Sequence, residues 1–275
     1  MTELYAVVGN PIAHSKSPEI HAAFARQTGQ DIGYSRLLAP LDGFRATVNR
    51  FRAEGGKGVN VTVPFKLEAF DIAHRVSQRA KDAQAANFLM FEEDRIFADN
   101  TDGPGLVRDL VNNLGYHPKE KRILLLGAGG AAQGVLAALL EQEPGILTIA
   151  NRTVEKALRL AETFRRHPAA GSSVLCGLGF GDLAGHHFDL IINATSSSLH
   201  GQLPPLPAPA FAPGALAYDM MYGKGRTPFL ALAEAYGAKT TDGLGMLVEQ
   251  AAESFLLWRG VRPQTAPVIA RLRTA

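Results

Sequence analysis

Three observations in the sequence predict an α/β protein of two domains, each organised around a mainly parallel sheet. Strand-like and helix-like segments alternate from residue 4 to residue 105, which is the pattern of βαβ units. A second alternating series begins at "RILLLGAGGAAQGVLAALLEQ", residues 122–142. The length of 275 residues accommodates one large domain or two modest ones, and the two series favour the second arrangement.

The elements of the first series follow from hydrophobic runs and from residues that start and stop helices. "LYAVVG" (residues 4–9) is typical of a buried strand. "PEIHAAFARQTG" (18–29) has proline near its start and glycine at its end, and "LDGFRATVNRFRAEGG" (41–56) also ends in glycine, so both predict helices. "GLVRDLVNNLG" (105–115) predicts an amphipathic connecting helix.

The stretch "GVNVTVPFK" (58–66) has the period of two that a half-buried strand shows, because its three valines alternate with polar residues. Pro64 ends this strand since it has no N–H to donate. Lys66 then stands at the strand tip. It either reaches into a cleft or lies in solvent, and taken alone the second interpretation is the better one.

The second series predicts further strands and helices. Strands are expected at 146–153, 188–196 and 214–223, with a helix to about residue 166 and a long final helix at 243–260.

Composition excludes several classes of function. The formal net charge is +2 and no dense Lys/Arg run occurs, which argues against a nucleic-acid partner. No apolar run reaches the ~18 residues of a membrane span, and the first residues lack a basic segment typical of signal peptides. One cysteine, Cys176, fits a reducing compartment. We therefore expect a cytoplasmic protein with a small-molecule partner, no membrane partner and no metal; a homodimer stays open.

The stretch "ILLLGAGGAA" predicts a dinucleotide site. Gly127 permits a tight turn, Gly129 lets the backbone approach a pyrophosphate, and the small Ala132 lets helix and strand pack. The helix that follows supplies N–H donors and the positive end of its dipole. A glycine-rich turn without a ligand is the alternative.

The end of the next strand, "LTIANRT", predicts which dinucleotide binds. NAD-binding proteins usually carry a carboxylate there, whereas this chain has Asn151 and Arg152, with Lys156 one helical turn later. Cations attract a 2′-phosphate, so NADP is predicted. The alternative is an exposed arginine at a strand end.

Polar residues cluster near strand ends and loops of the first series: Ser15, Ser17, Asn60, Thr62, Lys66, Asn87 and Asp102. Each alone has a structural interpretation, for example Ser17 as a helix N-cap. Hydride transfer from an alcohol carbon also requires a route for the hydroxyl proton, and Lys66 and Asp102 form a plausible acid–base pair if they meet in space. Lysine is a poor base at neutral pH, with an ordinary pKa of about 10.4.

Eight stretches, in order and over nearly the whole chain, resemble the shikimate dehydrogenase family: "VVGNPIAHSKSPEIHAAF", "VNVTVPFK", "DNTDGPG", "LLLGAGGAAQG", "ANRT", "INATS", "YDMMYGKGRTPFL" and "DGLGMLVEQAAESFLLWRG". The resemblance implies a substrate domain (1–102, completed by helices at 241–275) and a Rossmann-type NADP-binding domain (103–240). It implies reversible NADPH-dependent reduction of 3-dehydroshikimate to shikimate, in the shikimate pathway of chorismate and aromatic amino-acid biosynthesis.

The resemblance also implies a role for each matching residue. The substrate carboxylate would bind to Ser15 and Ser17, assisted by Thr62 and Tyr222. The ring hydroxyls would bind to Lys66, Asn87, Asp102 and Gln250, with Lys66 and Asp102 as the catalytic pair. The pyrophosphate would bind to Gly127, Ala128, Gly129, Gly130 and Ala131. The 2′-phosphate would bind to Asn151, Arg152, Thr153 and Lys156, and the nicotinamide site would include Met220 and Gly243.

The chain departs from the family pattern in two places. Where the family often has "GAVNT", this chain has "QAANF", with Gln84 for glycine and Phe88 for threonine, so the loop carrying Asn87 is expected to differ in shape. "NATSSSLHGQ" lacks a glycine usual after "TSS". Two alternative functions are a quinate/shikimate dehydrogenase with relaxed cofactor use and a catalytically silent NADPH-binding regulatory protein.

Overall fold

The computed structural model describes residues 2–195, 197, 202–203, 206, 210–223 and 225–274. The chain divides into two compact units. The terminal unit is Met1–Gly105 with Leu247–Ala275, and the central unit is Leu106–Met246. Each contains a sheet of six described strands, and both sheets are mainly parallel and accompanied by helices, which confirms the predicted fold class.

The elements are numbered along the chain. The first part contains β1 (Glu3–Gly9), α1 (Ser17–Thr28), β2 (Ile32–Leu38), α2 (Phe44–Ala53), β3 (Gly56–Val61), α3 (Lys66–Asp71), β4 (Arg75–Val76), α4 (Gln78–Ala83), β5 (Phe88–Glu92), β6 (Arg95–Asp99) and α5 (Asp102–Arg108). The second contains β7 (Arg122–Leu126), α6 (Gly130–Leu140), β8 (Ile146–Asn151), α7 (Val154–Arg165), β9 (Val174–Gly179), β10 (Phe188–Asn193), β11 (Phe211–Asp219), α8 (Pro228–Ala235), β12 (Lys239–Asp242), α9 (Leu244–Arg259) and α10 (Ala266–Thr274).

The terminal sheet has the order β2-β1-β3-β5-β6-β4. β1 pairs in parallel with β2 and β3, whereas β5 runs antiparallel to both β3 and β6. One core cluster packs β3 against α2 through Val59, Val61 and Phe44. A second cluster joins α1 to α9 through residues such as Phe24 and Phe255. The last helices thus complete the interior of the terminal unit.

The central sheet has the order β12-β11-β10-β7-β8-β9, and every recorded pairing in it is parallel. Counted from β7, this is the 3-2-1-4-5-6 order of a doubly wound dinucleotide-binding fold. Alternate residues of β7 enter different cores: Ile123 and Leu125 pack with α6 and α7, while Leu124 and Leu126 pack with α8. Helices therefore cover both faces, and the strand order reverses between β7 and β10, where such folds bind their ligands.

The strand predicted at 58–66 is shorter than expected. β3 ends at Val61, and the Phe65 N–H donates to the Thr62 carbonyl oxygen at 3.1 Å, which closes a turn. Phe65 is buried, whereas Val63 is 61% exposed, so the alternation stops before Pro64. Lys66 consequently begins a short helix rather than extending a strand.

Other boundaries also shift. α1 ends at Thr28 and is capped by Gly29, whose φ of 66° is left-handed, as predicted from the glycine. The connecting helix begins at Asp102 and continues as a π-helical turn at Asp109–Asn113. The strand predicted at 214–223 ends at Asp219, and the one predicted at 188–196 ends at Asn193; Ser196 lies outside the described residues. None of the helices within the described ranges has the length and apolarity needed to cross a membrane.

Candidate active site

Lys66 and Asp102 meet in the terminal unit. Each is the first residue of a helix, α3 and α5 respectively, and the Lys66 Nζ lies 2.6 Å from Asp102 Oδ2. The two side chains are 29% and 12% exposed, so the pair is partly desolvated but still accessible to a small molecule. The sequence predicted a pair on condition that the residues meet, and this condition is fulfilled.

Asn87 holds the Asp102 carboxylate from its other side. Its Nδ2 donates to Asp102 Oδ1 at 2.8 Å and to Thr101 Oγ1 at 2.9 Å, while its Oδ1 accepts from the Thr101 N–H at 2.8 Å. Because the Oδ1 has a backbone donor and the Nδ2 has acceptors, the amide can take only this orientation. Both carboxylate oxygens of Asp102 therefore have partners, one a cation and one an amide.

Gln250 comes to this cluster from α9. Its Oε1 lies 3.4 Å from both Asn87 Nδ2 and Thr101 Oγ1, and its Nε2 donates to the Leu247 carbonyl oxygen at 2.8 Å. Gly105 permits the approach, since a β-carbon there would lie 2.7 Å from the β-carbon of Gln250. The structure thus brings together Lys66, Asn87, Asp102 and Gln250, the four residues expected to bind the substrate ring.

Ser15 and Ser17 lie at the start of α1. The Ser15 hydroxyl donates to Ser17 Oγ at 3.2 Å, and the Ser17 N–H donates to Ser15 Oγ at 3.3 Å. Arg36 donates through two nitrogens to the Ser15 carbonyl oxygen. The alternative of Ser17 as N-cap is wrong: Lys16 occupies the N-cap position and Ser17 is the first helical residue. Thr62 follows β3, and its N–H donates to the Val8 carbonyl oxygen at 2.9 Å.

The sequence analysis missed two residues of this network and left a third without a role. Thr101 and Ser254 carry no signal of their own within the longer motifs that contain them, and Asn60 was predicted only as a polar candidate. Asn60 Nδ2 donates to Ser254 Oγ at 2.8 Å, and the Tyr34 hydroxyl donates to Asn60 Oδ1 at 2.7 Å. Burial raises the pKa of Tyr34 well above its usual value. The network is therefore continuous from Lys66 to Tyr34.

His21 packs beneath this network. Its ring stacks on Tyr34 with centroids 4.1 Å apart, and the side chain is fully buried. Burial lowers the pKa of His21 to about 3, against a smaller raising effect of the Asn60 amide. Neither ring nitrogen has a hydrogen-bond partner among the described residues. The imidazole is accordingly neutral at physiological pH.

The departures around Asn87 have structural answers. Gln84 has a φ of 49°, the left-handed conformation that glycine adopts without strain, and its Nε2 donates to the Lys81 carbonyl oxygen at 2.6 Å. Phe88 is buried and its ring lies 4.9 Å from that of Trp258. With these residues the loop still directs Asn87 at Asp102. Half of the other departing stretch, "NATSSSLHGQ", lies outside the described residues.

The glycine loop of the central unit joins β7 to α6. Gly127 has a φ of 105°, and a β-carbon there would lie 3.3 Å from the Ala194 carbonyl oxygen, so both conformation and space require glycine. Gly129 has an ordinary φ of −95°. Apart from the chain neighbours and the backbone of α6 itself, no atom of the described residues lies within 4 Å of a β-carbon built at Gly129 or Gly130. Ala128 and Ala131 flank these two glycines, and the loop can therefore admit a pyrophosphate beside the N–H groups that open α6.

The residues after β8 form the second part of the predicted cofactor site. Asn151 Nδ2 donates to the Thr153 carbonyl oxygen at 2.9 Å, and Arg152, Thr153 and Lys156 are exposed. Arg152 lines a cavity of about 720 Å³, together with Val154, Gly179, Phe180, Gly181, Asp182 and Leu206. Lys156 lines a separate cavity of about 240 Å³, with Ala128, Gln133, Arg159, Leu160 and Thr163. The cavity-lining residues at the end of β9 and the cation Arg159 were not predicted from the sequence.

Met220 and Gly243 meet at the carboxyl ends of β11 and β12. The Met220 N–H donates to the Asn193 carbonyl oxygen at 3.0 Å, and a β-carbon at Gly243 would collide with the Met220 carbonyl oxygen. Asp219 holds the loop by accepting from the Met221 N–H at 3.1 Å and from the Thr227 hydroxyl at 2.7 Å. Tyr222 lies in the same loop, and burial raises its pKa.

Three family models match the chain. "Shikimate dehydrogenase substrate binding domain" matches residues 7–89, "Shikimate / quinate 5-dehydrogenase" matches 109–200, and "Shikimate 5'-dehydrogenase C-terminal domain" matches 243–273. The matched ranges contain Lys66, Asn87, the glycine loop and Gln250, but they leave Asp102 between two models.

Individual proteins are similar over the full length. The protein named shikimate dehydrogenase (NADP(+)) of Nitrosospira multiformis is 59% identical over 276 residues, covering 100% of this chain and 98% of that protein. The crystal structure of an Ael1 enzyme from Pseudomonas putida is 50% identical, covers 98% of both chains and has a TM-score of 0.93. Shikimate 5-dehydrogenase of Thermus thermophilus, solved in complex with NADP(H) and shikimate, is 33% identical, covers 99% of both chains and has a TM-score of 0.86.

Proposed function

The chain belongs to the shikimate dehydrogenase family, and from this premise we propose that it catalyses the reversible NADPH-dependent reduction of 3-dehydroshikimate to shikimate. This reaction would place the protein, an oxidoreductase acting on a CH–OH group, in the shikimate pathway of chorismate and aromatic amino-acid biosynthesis. The observation that carries the proposal is the contact between Lys66 and Asp102 at 2.6 Å, with Asn87 bound to the same carboxylate.

Lys66 is the better candidate for moving the proton. Both oxygens of Asp102 are already bound, one by Lys66 and one by Asn87, whereas the Lys66 ammonium has three donors and gives one to Asp102. In the reducing direction Lys66 donates a proton to the oxygen of the carbonyl carbon that receives the hydride. In the oxidising direction the neutral amine that this donation leaves accepts the hydroxyl proton, which regenerates the ammonium. Asp102 orients Lys66 by accepting its hydrogen bond at 2.6 Å.

NADPH supplies the hydride when it is bound, and the central unit has the residues to hold it. The open backbone at Gly129 and Gly130 fits a pyrophosphate, and the cavity beside Arg152 fits the adenosine end. Arg152 and Lys156 provide positive charge for a 2′-phosphate, and Asn151 at the end of β8 provides no repelling carboxylate. Met220 and Gly243 line the nicotinamide site in this assignment.

The hydroxyl groups of Ser15 and Ser17 bind the substrate carboxylate, with Thr62 and Tyr222 assisting. The Ser17 hydroxyl already accepts from Ser15, and a carboxylate that accepts from both would replace that weak 3.2 Å bond with two charge-assisted ones. The ring hydroxyls bind to Lys66, Asn87, Asp102 and Gln250.

The test measures NADPH absorbance with shikimate and NADP⁺ for the native protein, Lys66→Met and Lys57→Met. Lys57 is an exposed lysine of β3 and serves as the matched control. Loss of a proton-transferring group should lower kcat by about 10²–10⁴-fold in Lys66→Met, far more than the loss of one ring-hydroxyl contact lowers shikimate affinity, with Lys57→Met unaffected. Turnover of quinate with NAD⁺ in preference to shikimate would favour the relaxed dehydrogenase. Binding of NADPH without turnover of either polyol would favour the silent regulatory protein.

A further inference from the structure

Thr101 and Ser254 place two buried hydroxyl groups directly behind the candidate site. Both residues are 0% exposed, and their oxygens lie 3.3 Å apart. Thr101 lies between β6 and α5, and Ser254 lies on α9 one turn after Gln250. Neither side chain reaches solvent, so water cannot replace the hydrogen bonds that the two hydroxyls make within the protein.

The hydrogen bonds of this pair reach two of the four ring-binding residues, Asn87 and Gln250, and also Asn60 on β3. Ser254 Oγ donates to the Gln250 carbonyl oxygen at 3.0 Å and accepts from Asn60 Nδ2 at 2.8 Å. Thr101 Oγ1 accepts from Asn87 Nδ2 at 2.9 Å. The single proton of Thr101 then has Ser254 Oγ, Asn87 Oδ1 and Gln250 Oε1 as acceptors at 3.2–3.4 Å.

We propose that Thr101 and Ser254 form a positioning pair that sets the distance between Asn87, which directly precedes β5, and Gln250 on α9, and through Asn87 the orientation of the Asp102 carboxylate. The inference rests on the proposed function, since it concerns how the same site holds the ring of its substrate. Neither residue touches the reacting atoms. Their effect is to keep donors and acceptors in the geometry that the ring hydroxyls need, and displacements of this kind change rates strongly.

Three variants separate positioning from simple packing. Thr101→Val keeps the shape and removes the hydroxyl, Thr101→Ser keeps the hydroxyl and removes a methyl group, and Ser254→Ala removes the partner hydroxyl. Thr47→Val is the control, because Thr47 is a buried threonine of the same unit whose hydroxyl donates to the Gly43 carbonyl oxygen at 2.9 Å. The pair Thr101→Val and Ser254→Ala is also combined in a double variant.

The experiment measures kcat and KM for shikimate and for NADP⁺, the pH profile of kcat, shikimate affinity by calorimetry and the melting temperature. We expect Thr101→Val to lower kcat/KM for shikimate by about 10–100-fold with the KM for NADP⁺ within about 2-fold. Thr101→Ser should recover most of the loss, and the double variant should lose less than the product of the single effects, because the hydroxyls act as one unit. Thr47→Val should change only the melting temperature.

The outcomes are distinct. If Thr101→Val melts at a lower temperature but keeps kcat and both KM values within about 2-fold, as an ordinary packing variant would, the positioning role is wrong while the proposed function stands. If the native protein neither binds nor turns over shikimate, the proposed function is wrong and the inference is wrong with it. An equally large loss in Thr101→Ser would also overturn the inference, since a variant that keeps the hydroxyl would then fail as badly as one that lacks it.

Discussion

The candidate residues of the terminal unit bind one another, whereas those of the central unit are glycine backbone and exposed cations. Lys66, Asp102 and Asn87 are joined by hydrogen bonds of 2.6–2.8 Å, while Arg152 and Lys156 lie exposed beside two cavities. Burial explains the difference, because short polar side chains in an interior need partners in the fold itself and exposed cations have water. The candidate residues of the terminal unit are preorganised by their own hydrogen bonds, whereas the central unit provides positive charge and open space for a ligand.

The most severe way to disrupt the terminal network is Asp102→Asn. The variant keeps the shape but leaves Lys66 without its counterion and Asn87 Nδ2 facing an amide. We expect kcat to fall by about 10²–10³-fold, because the proton-transferring group loses its orientation. Single-turnover kinetics with shikimate and NADP⁺ measure this, and NADPH affinity should be unchanged. Asp94→Asn, an exposed carboxylate of the same unit, is the control.

The corresponding change in the central unit is Arg152→Ala. Removing a charged hydrogen-bond donor to a phosphate should lower kcat/KM for NADP⁺ by about 10–100-fold and leave the value for NAD⁺ almost unchanged. Arg166→Ala is the matched control, since its side chain is 83% exposed and lies after α7. Equal losses with the two cofactors would show that Arg152 does not bind the 2′-phosphate.

The buried interior of the terminal unit should also respond to acid. The pKa of His21 is lowered from 6.5 to about 3 in the folded chain, so below pH 6.5 the unfolded chain binds a proton that the folded chain does not. This stability is complete above that pH and decreases as the pH falls, by about 2 kcal/mol at about pH 5. Urea unfolding across this range should show a shallower decrease in His21→Gln than in the native protein or in His14→Gln. Equal slopes would contradict a neutral His21.

Two neighbouring glycines of the central unit sharpen the comparison further. Gly127→Ala forces a side chain into left-handed backbone and should cost about 1–2 kcal/mol of stability. Gly129→Ala meets no described atom and should leave the melting temperature unchanged while weakening NADPH binding. Thermal unfolding and fluorescence titration with NADPH distinguish the two effects. Loss of stability in Gly129→Ala as well would argue that the fold itself needs Gly129, rather than that this position is kept open for a ligand.

The smallest effect is expected at Gln84. Glycine relieves the left-handed strain but adds freedom to the unfolded chain, so Gln84→Gly should gain about 0.5–1 kcal/mol. Glu120→Gly tests the same substitution in the central unit, since Glu120 also has a positive φ of 60°. The KM for shikimate should stay unchanged in both variants. A rise in that KM for Gln84→Gly alone would show that Gln84 shapes the loop carrying Asn87.

Sequence reasoning succeeded where a local pattern has one physical meaning. The glycine loop predicted a strand, a turn and a helix, and Gly127 has the conformation that made glycine necessary. It was less informative for the terminal unit. The edge strand β2 and the antiparallel hairpin of β5 and β6 were not predicted, because their residues lack a strong period of two.

The candidate active site was likewise predictable only in part from the sequence. Lys66 and Asp102 could be named as a pair because their chemistry is complementary, although the turn that places Lys66 on a helix was not foreseen. Thr101 and Ser254 could not be distinguished from other small residues. The role of a buried hydroxyl depends on its hydrogen-bond partners. Here these partners are Asn60, Asn87 and Gln250, which lie far apart in the chain.

The position of α9 in the chain has a consequence for how the protein is made. Gln250 and Ser254 complete a network whose other members all precede residue 103. The whole central unit is encoded between those earlier members and Gln250. A ribosome therefore finishes the central unit before the terminal unit can acquire its last side chains. Until then Phe24, which later packs against Phe255 with ring centroids 5.8 Å apart, lacks that cover. The terminal unit therefore stays incomplete while the ribosome translates the whole central unit.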